Sequence, residues 1–211
     1  DVLIVGTLAN GVSGAYISEL FTNDGLGNFS LVTGTPFNGC YDGSIAFSDI
    51  DNDGDEDVLI TGRRGLDPNY NAISELYTND GSGNFSLVSN TSFPQIVRGD
   101  LGFSDVDNDG DEDFLITGAG VADLYQNDGS GNFSLVNGTP FPAIYSSSIA
   151  FSDVDNDGDE DVLIIGSIDT GAGNVNTSSL YRNNTNTIFN NDNYNENIID
   201  SGQATQTITN S

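Results

Sequence analysis

The chain of 211 residues carries 32 acidic side chains against 4 basic ones, a formal net charge of −28, with no His. That balance excludes surfaces that call for clustered Lys and Arg, such as a nucleic-acid backbone or an anionic membrane. The lack of His removes the commonest general base and every Ser-His-Asp or Cys-His arrangement.

Apolar residues at 36%, together with 26 Gly, match a folding globular chain rather than a disordered acidic tail. The chain opens at Asp1 with no initiator Met, basic n-region or apolar h-region, and reads as a mature or trimmed piece. No apolar run approaches the roughly 18 residues of a membrane-crossing helix, so no membrane insertion is expected.

In chain order, the first apolar run is Val2 to Val5, closed by Gly6. The segment LFTNDGLGNFSLV from Leu20 follows, with Asp-Gly and a second Gly set between two short apolar runs, the pattern of a hairpin turn. The single cysteine, Cys40, has no disulfide partner and reads as a small buried apolar residue. Then comes FSDIDNDGDEDVLITG at 47–62, which recurs as FSDVDNDGDEDFLITG at 103–118 and FSDVDNDGDEDVLIIG at 151–166. The hairpin segment recurs from Leu76 and Leu124, then decays to LYRNNTNTIF from Leu180. Repetition at about 50 residues indicates stacked or radially arranged copies of one supersecondary unit.

Each unit predicts four strands, around Ile45 to Ser48, Val58 to Thr61, Ser74 to Thr78 and Asn84 to Val88, and no stretch sustains a helical apolar period. The connection between the second and third strands varies from the long Arg63 to Ile73 segment to the brief Ala119 to Ala122. Four short strands per repeat describe the blade of a β-propeller. The expected fold is all-β, a single propeller domain over 1–211 in repeat units of about 1–48, 49–104, 105–152 and 153–211. Aligning Phe189 with Phe29 sets Thr209 opposite Asp49, and Asp1 to Gly6 aligns with Asp57 to Gly62. The ends therefore suit either four blades closed by strand exchange or a window of a larger propeller or array.

Each full repeat holds a nonapeptide D-x-D-x-D-G-x-x-D: Asp49, Asp51, Asp53, Asp55 and Asp57; Asp105, Asp107, Asp109, Asp111 and Asp113; Asp153, Asp155, Asp157, Asp159 and Asp161. These loops hold 15 of the 26 Asp. Unit charges 4 Å apart repel by about 4 kcal/mol at an effective dielectric near 20, so a cation is expected to neutralise them. Oxygen ligands at alternate positions and a Gly at the sixth follow calcium-loop logic. On that logic the carboxylates of Asp49, Asp51, Asp53 and Asp57 and the carbonyl of Asp55 bind Ca²⁺, Glu56 faces solvent, and the chain takes about three calcium ions. Position twelve is Ile60, where an EF-hand would need Glu. Zinc would lack its usual His and Cys.

On these motifs the chain resembles the FG-GAP and VCBS-type repeats, the calcium-binding propeller blades of integrin α-subunit heads and of secreted bacterial surface proteins. The resemblance implies a calcium-stabilised propeller and leaves the partner open. The half-repeat at Asp1 and the TQTITNS end depart from the acidic pattern, so a fourth calcium site is not implied.

Calcium dependence predicts a secreted or cell-surface location, where calcium is millimolar. The leading functional expectation is a non-catalytic adhesion or recognition module for an extracellular protein or glycan. A lectin is the alternative, weakened because Arg63 to Asn71 has no counterpart in Ala119 to Ala122. A surface fibre or array built by self-association through terminal strands is another. Tyr16, Tyr41, Tyr70 and Tyr145 lie in loop-like segments, where edge packing is weighed above ligand stacking. No acid and base pair remains outside the metal loops for an enzyme.

Overall fold

The structure, a computed structural model, describes residues 1–8, 16–65 and 71–183, and the backbone of 196–198. Its described residues form fifteen strands and no helix. They are β1 (Val2–Thr7), β2 (Tyr16–Asn23), β3 (Phe29–Leu31), β4 (Ile45–Ser48), β5 (Asp57–Arg64), β6 (Asn71–Asn79), β7 (Phe85–Leu87) and β8 (Asp100–Ser104). After these come β9 (Asp113–Gly118), β10 (Val121–Asn127), β11 (Phe133–Leu135), β12 (Tyr145–Ser152), β13 (Asp161–Asp169), β14 (Asn174–Tyr181) and β15 (Glu196–Ile198).

Four antiparallel sheets result, each a meander in sequence order: β1-β2-β3, β4-β5-β6-β7, β8-β9-β10-β11 and β12-β13-β14-β15. The four-strand repeat expected from sequence is thus present in three of them. Contacts divide the chain into two units, one of Asp1–Asp49 and Asp53–Arg98, the other of Ile50–Asn52 and Gly99–Ser211. The expected closure through Thr209 lies outside the described residues, as does Tyr70.

In the second and third sheets the second strand is the buried one. Residues Asp57 to Gly62 of β5 and all six residues of β9 are buried. Their VLIT and FLIT runs are continuous rather than alternating because both faces of the strand are covered. In the first unit Cys40, Val58, Ile60, Ile73 and Tyr77 form the core, with Phe37 and Phe85 against it. In the second, Leu115, Leu124, Ile144, Val162, Ile164 and Tyr181 do so. Cys40 is fully buried and burial pushes its thiol pKa up, as a structural cysteine requires.

Two strands with nearly the same sequence differ. In β13, Val162 and Ile164 are buried while Leu163 is 40% and Ile165 44% exposed; in β1, Val2 is 40% and Ile4 46% exposed. These strands each leave apolar side chains exposed, although the β9 counterparts, Leu115 for Leu163 and Phe114 and Ile116 for Val2 and Ile4, are buried.

The NDGxGN segments are hairpin turns, linking β2 to β3, β6 to β7 and β10 to β11. Asp80 accepts from the Ser82 and Asn84 backbone N–H groups at 2.9 and 3.2 Å and from the Asn84 side chain. Asp24 and Asp128 repeat the pattern, and hydrogen bonds led by the Asn side chain hold all three carboxyls below their ordinary pKa. The brief β9–β10 connection is a two-residue turn, Ala119 and Gly120, both at positive φ. Tyr16 and Tyr145, read as loop residues from sequence, instead open β2 and β12. Tyr16 stacks on Tyr41 with ring centroids 4.7 Å apart, a packing contact.

Candidate functional site

Each acidic loop joins the first strand of a sheet to its buried second strand, and its geometry follows from its own residues. Gly54, Gly110 and Gly158 lie at φ 94 to 98°, which permits the sharp reversal. Asn52, Asn108 and Asn156 occupy the left-handed region at φ 58 to 61°, a conformation Asn tolerates well. The first Asp of each loop ties the turn together. Asp105 Oδ1 accepts from the Asp109 N–H at 3.0 Å and Oδ2 from the Gly110 N–H at 3.0 Å; Asp49 and Asp153 do the same. The fifth-position carboxylates, Asp53, Asp109 and Asp157, accept from the N–H two residues on.

Within the loops, carboxylate oxygens converge to within 4.8 Å of one another in three sets: Asp49, Asp51 and Asp57; Asp105, Asp107 and Asp109; Asp153, Asp155 and Asp157. Asp51 Oδ1 and Asp107 Oδ1 are buried with no hydrogen-bond partner. A buried anionic oxygen left unsatisfied is costly, and a hard cation is the group that would satisfy it. The donor set is all oxygen and mostly carboxylate, which fits an ion of the calcium type and suits neither zinc nor copper.

The ninth-position carboxylates are buried and serve the backbone. Asp113 Oδ1 accepts from the Asn127 N–H at 2.8 Å and Oδ2 from the Val106 N–H at 3.3 Å. Asp161 does likewise with Asn183 and Val154, Asp57 accepts from Asn79 at 2.7 Å, and Asp1 from Asn23 at 2.8 Å. Burial raises Asp113 to a pKa of about 7, with the nearby Asp107 and Asp109 charges adding to it. Burial likewise raises Asp161 and Asp107.

Residues 105–164 match the family model of the FG-GAP-like repeat. Over that span the chain is similar to an FG-GAP-like repeat. The matched span begins at the first ligand-type residue of the second loop and runs through the third loop into β13. Among solved structures, the chain is similar to one reported under the subject of specific recognition of non-reducing terminal N-acetylglucosamine by a lectin of Agrocybe aegerita. The identity is 15% and the TM-score 0.55, covering 89% of this chain and 47% of that one. The chain thus spans about half the length of that structure, and the likeness concerns fold. No curated protein matches the chain.

The structure brings polar side chains to the loops that reading the acidic residues alone does not find. The seventh-position residue, expected from sequence to offer its carbonyl to an ion, accepts through its side chain from the preceding loop: Asn52 Nδ2 donates to Asp111 Oδ1 at 2.7 Å, and Asn108 Nδ2 to Asp159 Oδ1 at 2.7 Å. Asn127, the last residue of β10, and Asn183, two residues beyond β14, also reach into the preceding repeat. Asn127 Nδ2 donates to the Ile50 carbonyl at 2.8 Å and Asn183 Nδ2 to the Val106 carbonyl at 2.6 Å. Asn23, Asn79, Asn127 and Asn183 occupy the same repeat position in the sequence, and at the last two of them the structure shows this reach. Glu56, as expected, is exposed.

Proposed function

We propose that this chain is an extracellular, calcium-stabilised β-propeller module that recognises a protein or glycan partner and performs no catalysis. One observation carries the reading: three equivalent loops gather carboxylate oxygens within 4.8 Å, and two of them bury an oxygen that no protein donor satisfies. In such a module Asp49, Asp51 and Asp57 of the first loop, Asp105, Asp107 and Asp109 of the second, and Asp153, Asp155 and Asp157 of the third would hold the ions. The ions offset the loop charge and rigidify the strand junctions. The sequential four-stranded meanders and the fold-level likeness to a lectin support blades of a propeller. Millimolar extracellular calcium suits loops of this kind.

A thermal melt with and without EDTA, together with calorimetric counting of calcium, tests this reading. About three ions per chain and a large fall in melting temperature on chelation are expected. No calcium heat and no shift would reduce the loops to acidic turns and remove the case for the extracellular placement.

The lectin reading is supported by the kind of protein whose fold the chain resembles, and an array of glycans including terminal N-acetylglucosamine would test it. The exposed apolar residues Leu163 and Ile165 of β13, and Val2 and Ile4 of β1, favour self-association as a further role of the same module. Light scattering across concentration distinguishes a monomer from an assembly.

A further inference from the structure

The third loop differs from the other two in what faces its third-position carboxylate. In the second and third loops the facing residue lies two positions from the start of the hairpin segment, Gln126 or Arg182, where the first full repeat has Thr78. In the first loop Asp51 Oδ1 is buried and has no hydrogen-bond partner. In the second, Asp107 Oδ2 accepts from the neutral Gln126 Nε2, and Oδ1 stays unsatisfied. In the third, Arg182 Nη1 donates to Asp155 Oδ2 at 2.7 Å, an ion pair with side chains 37% and 27% exposed. Asp155 belongs to the converging trio with Asp153 and Asp157, so a permanent cation already stands at this cluster.

We propose that Arg182 is a built-in counter-ion of the third loop, which lowers that loop's affinity for calcium and keeps it folded when calcium is scarce. The inference rests on the calcium reading above. A guanidinium at 2.7 Å from one ligand carboxylate neutralises part of the charge that would attract the ion, and calcium must displace it or bind beside it. Because the pair is partly solvated its effect is moderate, about tenfold in dissociation constant. The three loops, nearly identical in sequence, are therefore not three equal sites: two fill first, and the third responds at higher calcium.

The test is calorimetric titration of the whole chain with calcium chloride, repeated for Arg182→Gln, Arg182→Thr and Asp155→Ala, with melting curves in EDTA. Wild type should show two tighter sites and one about tenfold weaker. Asp155→Ala should delete the weak class. Either Arg182 variant should bring the third site level with the others and lower the melting temperature in EDTA. Gln and Thr are the residues that occupy this position in the other repeats, so both are compatible with the strand. Three equal sites in wild type, or a weak site unchanged in both variants, would overturn the role of Arg182 while leaving the calcium reading intact. No calcium binding by wild type would overturn both.

Discussion

Asn108 and Asp159 are separated by 51 residues, yet the Asn108 amide donates to Asp159 Oδ1 at 2.7 Å, joining the second acidic loop to the third. Asn52 and Asp111 repeat this link one copy earlier. The loops are thus coupled to one another as well as to their own strands. Removing the amide should be felt beyond a single turn.

Asn108→Ala is expected to lower stability by about 1–2 kcal/mol, the worth of a hydrogen bond to a charged group at a partly exposed site. Asn108→Asp should cost more, because it sets a second carboxylate against Asp159. Chemical denaturation of the two variants side by side checks the order; equal losses would argue against a direct bond.

Asn127 donates to the buried Ile50 carbonyl at 2.8 Å and its backbone N–H donates to the buried Asp113 at 2.8 Å. Asn127→Ala keeps the second bond and loses the first, so a destabilisation of about 2 kcal/mol is expected from the buried acceptor it deprives. Asn127→Leu should be worse, since it cannot fit a side chain of that shape against polar backbone. Thermal melts read the difference.

At Gly129, φ is +73°, and a Cβ would lie 2.5 Å from Asp111 Oδ2. Gly129→Ala therefore meets both a disfavoured backbone region and a carboxylate it must push aside, at a cost of roughly 1–3 kcal/mol. Gly25 has the same kind of φ with nothing within 4 Å of that point, so Gly25→Ala should cost less. A Gly25→Ala loss equal to that of Gly129→Ala would show that the carboxylate contact is unimportant.

The raised pKa of Asp113, about 7, has a definite sign for stability. Between the ordinary carboxyl value and about 7 the folded protein holds a proton that the unfolded chain has released, so stability falls as pH rises through that window. Asp161, also raised by burial, adds in the same direction. In EDTA the melting temperature should be higher at pH 5 than at pH 7.5. With saturating calcium the trend should reverse, because the ion favours ionised carboxylates and protons compete with it.

Asp51→Ala should remove one calcium ion per chain and lower the melting temperature in calcium, whereas the exposed Glu56→Ala should change neither. Counting ions by calorimetry in both variants is the check. The same stoichiometry in the two would displace Asp51 from the ligand set.

The strands and the acidic loops were legible because both are local. Apolar runs punctuated by Gly, Asn and Asp mark strand limits, and a nonapeptide with Asp at alternate positions carries its own turn geometry. Tyr16 and Tyr145 were misplaced into loops because each begins a strand whose partner, on β1 or β13, lies several residues away in a separately punctuated run.

Sequence by itself determined that the chain repeats a β-meander and that each full repeat sets five carboxylates in nine residues. Only the tertiary structure decided which donors face those carboxylates. Asn52 and Asn108 reach the next loop because a left-handed backbone and the sheet register point them there, across 59 and 51 residues. Near-identical loops acquire different partners, an unsatisfied oxygen at Asp51, an amide from Gln126 at Asp107 and a guanidinium from Arg182 at Asp155, because the neighbouring strand supplies them. Local pattern specifies charge and turn, whereas long-range packing specifies which charge is compensated.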